Sequence, residues 1–492
     1  MRNYFLALIA FLAFSFAGNA QNFKVTNNQT VMLEKSGRII NTVIKQNYYA
    51  GFDGKFHYFI VDEKTLLKAD ESLKKITPVT LDKKFDAESL TNFYAENVAG
   101  LICLEHNKND FVIKKVIVGD KGLNETELLT ISASKSDDYQ ADFSTSPDKK
   151  TKMIALTIIS SKKELKSTFI FVINNQGDII WSKNFEPNFD NKTLNFSDMR
   201  VDNDASVYVL ATSFTKKVKK CNLTLFKINK NEDIDEKISI PVNFNRIGTM
   251  RMLVLSNGNI FVGGYYTEAN EYNFDNSIKD LGTFSYVFDG QTLEKQNFKT
   301  KTLEESIPKG ITSKQAYTGD RIKNIKGIYE TTDGKVTMFA EEYIVEYSKY
   351  YPTNFMHGNV FIQSFDLNGN YENSSILFKN QIASIADFLV SFNVLINGDN
   401  LILIYNDNAK NDLSANKPKP KRFLAYRYKK GQTVACIIKN GLVGKKQAII
   451  NGKNEKRIFY NAVRQLDNKE AIIRVQTGLT GIGTLMLEKL SW

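Results

Sequence analysis

Three histidines, His57, His106 and His357, and three cysteines, Cys103, Cys221 and Cys436, are the chain's whole supply of imidazole and thiol. No two histidines stand at His-x-x-x-His or comparable spacing, so no zinc ligand set is recognisable. The same scarcity handicaps Ser-His-Asp and Cys-His mechanisms, each of which needs a base within hydrogen-bond reach of its nucleophile. His57 and His106 fall within or at the end of apolar stretches, whereas His357 falls in a polar stretch that reads as an exposed loop. Asp202-Asn203-Asp204 and Asp233-Ile234-Asp235-Glu236 carry oxygen ligands of the kind calcium takes. Neither has the glycine and distal glutamate of an EF-hand loop, and both read as turns. The cysteines lie far apart beside apolar strands, an odd and sparse set that makes no disulfide framework. No catalytic, cofactor-binding or metal-binding residue is assigned, and no cofactor is expected.

Tyrosine is the residue type that does accumulate. Tyr265, Tyr266, Tyr272, Phe274, Tyr317, Tyr343, Tyr347, Tyr350, Tyr351 and Phe355 gather in or beside the long polar stretches 267–282, 301–320 and 341–359. Tyr343, Tyr347 and Tyr350 or Tyr351 have helical spacing, which predicts a short capping helix there. Such a set is either a small core that holds loops down or an aromatic platform for a protein or glycan. A fourth long stretch, 406–422, ends in Lys417-Pro418-Lys419-Pro420-Lys421-Arg422, a stiff positive rim. The expected interaction face therefore comprises Tyr265, Tyr266, Tyr272, Phe274, Tyr317, Tyr347, Tyr350, Tyr351, Phe355, Lys419, Lys421 and Arg422. Long loops inside a compact domain are usually functional or disordered.

The elements that must carry these loops repeat. Met250 to Leu255, the turn Ser256-Asn257-Gly258-Asn259, Ile260 to Tyr266, Thr283 to Phe288, the turn Asp289-Gly290, and Leu293 to Phe298 read as four short strands. Units of this kind recur at a spacing of about fifty residues, the signature of β-propeller blades. The expected fold is all-β, a propeller of four-stranded blades, with eight blades favoured and seven the runner-up. The long loops then belong to blades 5 to 7. The tail offers only three strands, Ile458 to Arg464, Ala471 to Val475 and Thr484 to Leu487, which would leave an open edge. Gln29 to Glu34 is expected to supply the missing strand and close the ring. An outer-membrane barrel is disfavoured because Leu401-Ile402-Leu403-Ile404 and Ala471-Ile472-Ile473 break the alternation that a barrel needs.

Two segments resemble known propeller repeats. Phe143-Ser144-Thr145-Ser146-Pro147-Asp148-Lys149-Lys150 resembles the F-S-P-D-G-K repeat of TolB-like and Tricorn-like propellers, with Lys149 in place of the usual glycine. Asn257-Gly258-Asn259-Ile260-Phe261-Val262-Gly263-Gly264-Tyr265 resembles the repeat of exported seven-bladed bacterial propellers. Ile173 to Trp181 is similar to the docking repeat of quinone-dependent dehydrogenases. With tryptophan only at 181 and 492, that likeness stops at one blade, and Trp181 is expected to pack between blades 3 and 4. The leader and the Asn/Lys/Ile/Phe-rich composition look like exported proteins of Bacteroidota.

Met1-Arg2-Asn3, the apolar run Tyr4 to Phe16 and Gly18-Asn19-Ala20 read as a cleaved secretory signal peptide, leaving 21–492 as one domain. Beyond it no stretch is long and apolar enough for a transmembrane helix. The charge of +11, from 65 Lys and Arg against 54 acids, is spread out apart from Lys216–Lys220 and Lys417–Arg422. These clusters read as solvated turns or as contacts for anionic glycan or lipid head groups. The reading is a monomeric, non-catalytic binding or scaffolding propeller of the periplasm or cell surface. Its partner would be a protein or glycan of the envelope and not nucleic acid. The alternative is a polysaccharide-active hydrolase or lyase with carboxylates and tyrosines at the channel mouth.

Overall fold

The computed structural model describes residues 24–26 and 48–492, apart from short connecting stretches of which 186–193, 268–279, 347–353 and 478–484 are the longest. The described residues form antiparallel sheets whose strands follow one another along the chain, an all-β propeller. Six four-stranded sheets span 48–80, 88–132, 138–185, 194–240, 246–302 and 392–451. A seventh joins Arg457–Gln465, Glu470–Thr477 and Leu485–Ser491 to Lys24–Thr26. The strands are separate sheets packed against their neighbours, not one continuous barrel.

The eight blades favoured from the sequence are not found: among the described residues seven blades have four strands, the number of the runner-up, and the sheet that begins at Ile322 departs from that pattern with six. Its second and third strands, Lys335–Glu346 and Asn354–Asp366, are 12 and 13 residues long and overhang their partners. Tyr371–Leu377 covers only one end of Asn354–Asp366; Gln381–Ser384 pairs with the other, and Phe423–Leu424 pairs parallel with that strand. The overhang would otherwise present unpaired backbone to solvent. Closure also differs in detail, since Lys24–Thr26 lies against Lys489–Ser491 while Gln29 to Glu34 lies outside the described residues.

Turn chemistry explains the hairpins. In Asn174-Asn175-Gln176-Gly177-Asp178 the Asn174 side chain accepts the amides of Gln176 and Asp178, and Gly177 takes φ +80°. Lys149 occupies the equivalent place after Ser146-Pro147-Asp148 with φ +63°, a conformation in which its Cβ is strained. Asp202-Asn203-Asp204 is a turn of the same family: Asp202 Oδ1 accepts the amides of Asp204 and Ser206, and its Oδ2 accepts the Tyr208 hydroxyl.

Apolar clusters join consecutive sheets. Met153, Ile170, Val172, Trp181 and Phe185 pack against Met199, Val207, Val209 and Phe226, and the Trp181 indole N–H donates to Ala205 O at 2.9 Å. The ring closes where Ile472 packs with Phe59, Leu67 and Leu73. First strands of consecutive sheets lie nearest one another, and polar side chains tie one to the next. Val201 N donates to Ser144 Oγ at 3.2 Å, Met252 N to Asp198 Oδ2 at 2.7 Å, and Ile396 N to Gln465 Oε1 at 2.9 Å.

Candidate interaction site

The six-stranded sheet is built around charge. Glu341 and Lys379 are fully buried, and His357 is almost so. Lys379 Nζ pairs with Glu341 Oε1 and donates to Gln381 Oε1 at 2.8 Å. Glu341 Oε2 meets His357 Nδ1 at 2.8 Å, accepts the Ser391 hydroxyl at 2.6 Å, and lies 3.4 Å from Lys326 Nζ. Burial would push the Glu341 carboxyl up, but Lys379, then His357 and Lys326, hold it below the usual carboxylate range. Burial draws the His357 imidazole below its ordinary value against the pull of Glu341. Ser391 holds φ +72° and donates its amide to Gln381 Oε1 at 2.7 Å, a strained residue fixed by its partners.

The network continues into the next two sheets. Gln381 Nε2 donates to Asn406 O at 2.5 Å; Asn406 Nδ2 donates to Leu389 O and Phe459 O; Thr433 Oγ1 donates to Asn406 Oδ1. One buried carboxylate thus secures the 381–384 strand, and with it the attachment of 423–424.

Above this anchor the stretch after Asn400–Asn408 is an ordered shelf. Asn411 Nδ2 donates to Asp407 Oδ1 and Lys421 O at 2.7 and 2.9 Å, while its Oδ1 accepts Lys421 N at 2.8 Å. Asn408 Nδ2 donates to Arg422 O, Ala409 N to Lys430 O, and Phe423 N to Asn380 O. Asn416 Oδ1 accepts Phe378 N and Lys446 Nζ. Leu413 and Phe423 point into the core. What remains outside is cationic: Lys410, Lys417, Lys419, Lys421, Arg422, Arg427, Lys429 and Lys430 are all exposed. Against these eight cations stands one acid, Asp412, so residues 408–431 carry a net of +7 out of +11 for the chain. Asp412 lies 3.5 Å from Lys417.

Of the residues expected to form the interaction face, Lys419, Lys421 and Arg422 lie together on this shelf. Tyr265 is packed inside the apolar cluster with Ile325, Phe361 and Phe365 and is not presented on the surface. Tyr266 is half-buried against the 246–302 sheet, with its ring against Gly282 where a Cβ would stand. Phe355 is half-buried on Asn354–Asp366. Tyr272, Phe274, Tyr317, Tyr347, Tyr350 and Tyr351 lie outside the described residues. Tyr343 is on the strand Lys335–Glu346, not a helix, and its ring lies tilted against His357 with centroids 4.8 Å apart; His357 is core and not exposed loop. Beyond the shelf, Phe423–Leu424 is a two-residue strand followed by a 3-10 turn, Ala425–Lys430.

Other chemistry-bearing groups serve the frame. Asp198 is buried; burial raises its pKa, and Oδ1 meets Met199 N and Arg200 while Oδ2 accepts Met252 N. Cys103 and Cys436 are buried thiols, the latter pushed up to about 12 by burial. A cavity of about 260 Å³ opens between the 246–302 sheet and Phe365, Asn370 and Tyr371, with the Lys301 ammonium 3.5 Å from the Tyr371 ring centre.

No family model matches this chain, and no curated protein does. Solved structures similar to it are propellers and related proteins at low identity. The β-propeller domain of the Trilobed protease from Pyrococcus furiosus is 12% identical, TM-score 0.33, over 69% of this chain and 78% of that one. A protein from Lactobacillus plantarum is 9% identical, TM-score 0.38, over 82% and 95%. YCF48 from Cyanidioschyzon merolae is 9% identical, TM-score 0.34, over 96% and 98%. At such scores these likenesses give the TolB-like and Bacteroidota resemblances no specific support and assign nothing beyond what the sheets themselves establish: an all-β propeller.

Proposed function

We propose that this chain is an exported, non-catalytic binding or scaffolding propeller whose interaction face is the long-loop sector, of which the 409–430 shelf is the described part. The observation that carries the reading is the shelf's construction. Asparagine side chains satisfy its backbone, a buried Glu341–Lys379 pair secures its base, and its cations all point outward. Ordered loops with exposed positive charge suit recognition of a partner more than chemistry. Residues 1–20, read as a signal peptide, support export, and the proposed partner is a protein or glycan of the envelope. Replacing 410–421 by a short Gly-Ser link and comparing recovered partners with the native chain tests it. Specific partners are expected to be lost, and an unchanged set would refute it.

A second reading, a polysaccharide-active hydrolase or lyase, draws on Asp142 of the strand Asp138–Thr145. Burial raises its pKa, countered by Arg251 and Arg200, the arginines that also pair with Asp198. Activity on acidic or neutral glycans abolished by Asp142→Asn would favour that reading instead.

A further inference from the structure

We infer that the 409–430 shelf binds a linear acidic polysaccharide, one carrying uronate or sulfate groups. This deepens the binding function proposed above and rests on it. Six of the eight shelf cations are lysines, compact point charges on flexible stems that suit diffuse contact with spaced anions; bidentate capture of a single phosphate is the work of arginine forks. The charges are spread over exposed positions of one ordered loop, an arrangement matched to a ligand with many anions in a row. Membrane docking would need apolar residues to enter the lipid boundary, but Leu413 packs on the core and Phe423 is buried. A groove-reading helix for duplex nucleic acid is missing as well, since the shelf's helical turn is the 3-10 stretch Ala425–Lys430.

The test uses the full chain and defined probes: fluorescent oligogalacturonate and heparin, a neutral glucan of equal length, single-stranded RNA of matched charge, and phosphatidylglycerol vesicles. Binding of the acidic polysaccharides is expected, weakening at least about tenfold between roughly 50 and 200 mM salt. The variant Lys417→Gln/Lys419→Gln/Lys421→Gln/Arg422→Gln is expected to lose at least about tenfold more while its melting curve is unchanged. Equal binding by that variant, equal binding of the neutral glucan, or tighter binding of RNA or vesicles would overturn the assignment. If acidic polysaccharide fails to bind while removal of the loop still abolishes partner recovery, this inference falls and the proposed function stands.

Discussion

Two interfaces of the same ring are built in opposite ways. Between the 138–185 and 194–240 sheets the contact is mainly apolar, with Trp181, Phe185, Phe226 and aliphatic residues interlocked and neutral hydrogen bonds such as Val201 N to Ser144 Oγ beside them. Between the sheet from Ile322 and the 392–451 sheet, an apolar layer of Phe339, Ile362, Leu403 and Tyr405 lies beside Glu341, Lys379, Gln381, Ser391 and Asn406. The first kind of contact needs only volume and pattern. The second fixes particular atoms, because each buried polar group must find its partner. The difference teaches where the molecule specifies a surface: charge is buried where an irregular loop has to be held in one place.

The sharpest way to break this contrast is to remove one half of the ion pair. Lys379→Met leaves Glu341 buried without its main counter-charge and is expected to cost about 3–5 kcal/mol in urea unfolding. Adding Glu341→Leu should recover much of that loss, a coupling between the two sites that additive changes would not show. At the apolar interface, Phe185→Ala is expected to cost about 3–4 kcal/mol with no dependence on pH. Acid should also separate groups by their partners. Burial, reinforced by Lys489, lowers the His57 pKa from 6.5 to about 4. The folded chain thus resists a proton that the unfolded chain accepts. Stability present above pH 6.5 is lost as pH falls toward 4, by up to about 3 kcal/mol. His57→Gln should flatten that window in urea melts taken across it. Glu341 acts in the same direction at lower pH. Its depressed pKa contributes stability that is complete above the ordinary carboxylate range and declines below it. The smallest effect is local: Lys149→Gly should stabilise by about 1 kcal/mol by removing a strained left-handed lysine, read as a raised melting temperature.

Much of the frame was legible in the sequence. Met250 to Phe298 reads directly as four strands because Asn257-Gly258 and Asp289-Gly290 mark the turns, and Arg246–Thr302 forms that sheet. Leu442–Asn451 escaped because Gly444, Lys445 and Lys446 make it polar; it is an edge strand with one face in solvent. The overhang of Lys335–Glu346 and Asn354–Asp366 was hidden for a related reason. Glu341-Glu342 and His357-Gly358-Asn359 look like loop residues, and nothing local says that Lys379, about forty positions away, will neutralise them. Lys417 to Arg422 was visible as a charge run, but its order depends on Asn408, Asn411 and Asn416, whose partners are set by the fold.

Site-specific photocrosslinking compares the two regions most directly, with the probe placed at Lys419 on the shelf or at Lys150 on the 138–185 sheet, in cells that express the full chain. Specific, salt-sensitive adducts at 419 and none at 150 are the predicted result. Adducts equal at both positions, or confined to 150, would contradict the assignment of the shelf as the working face.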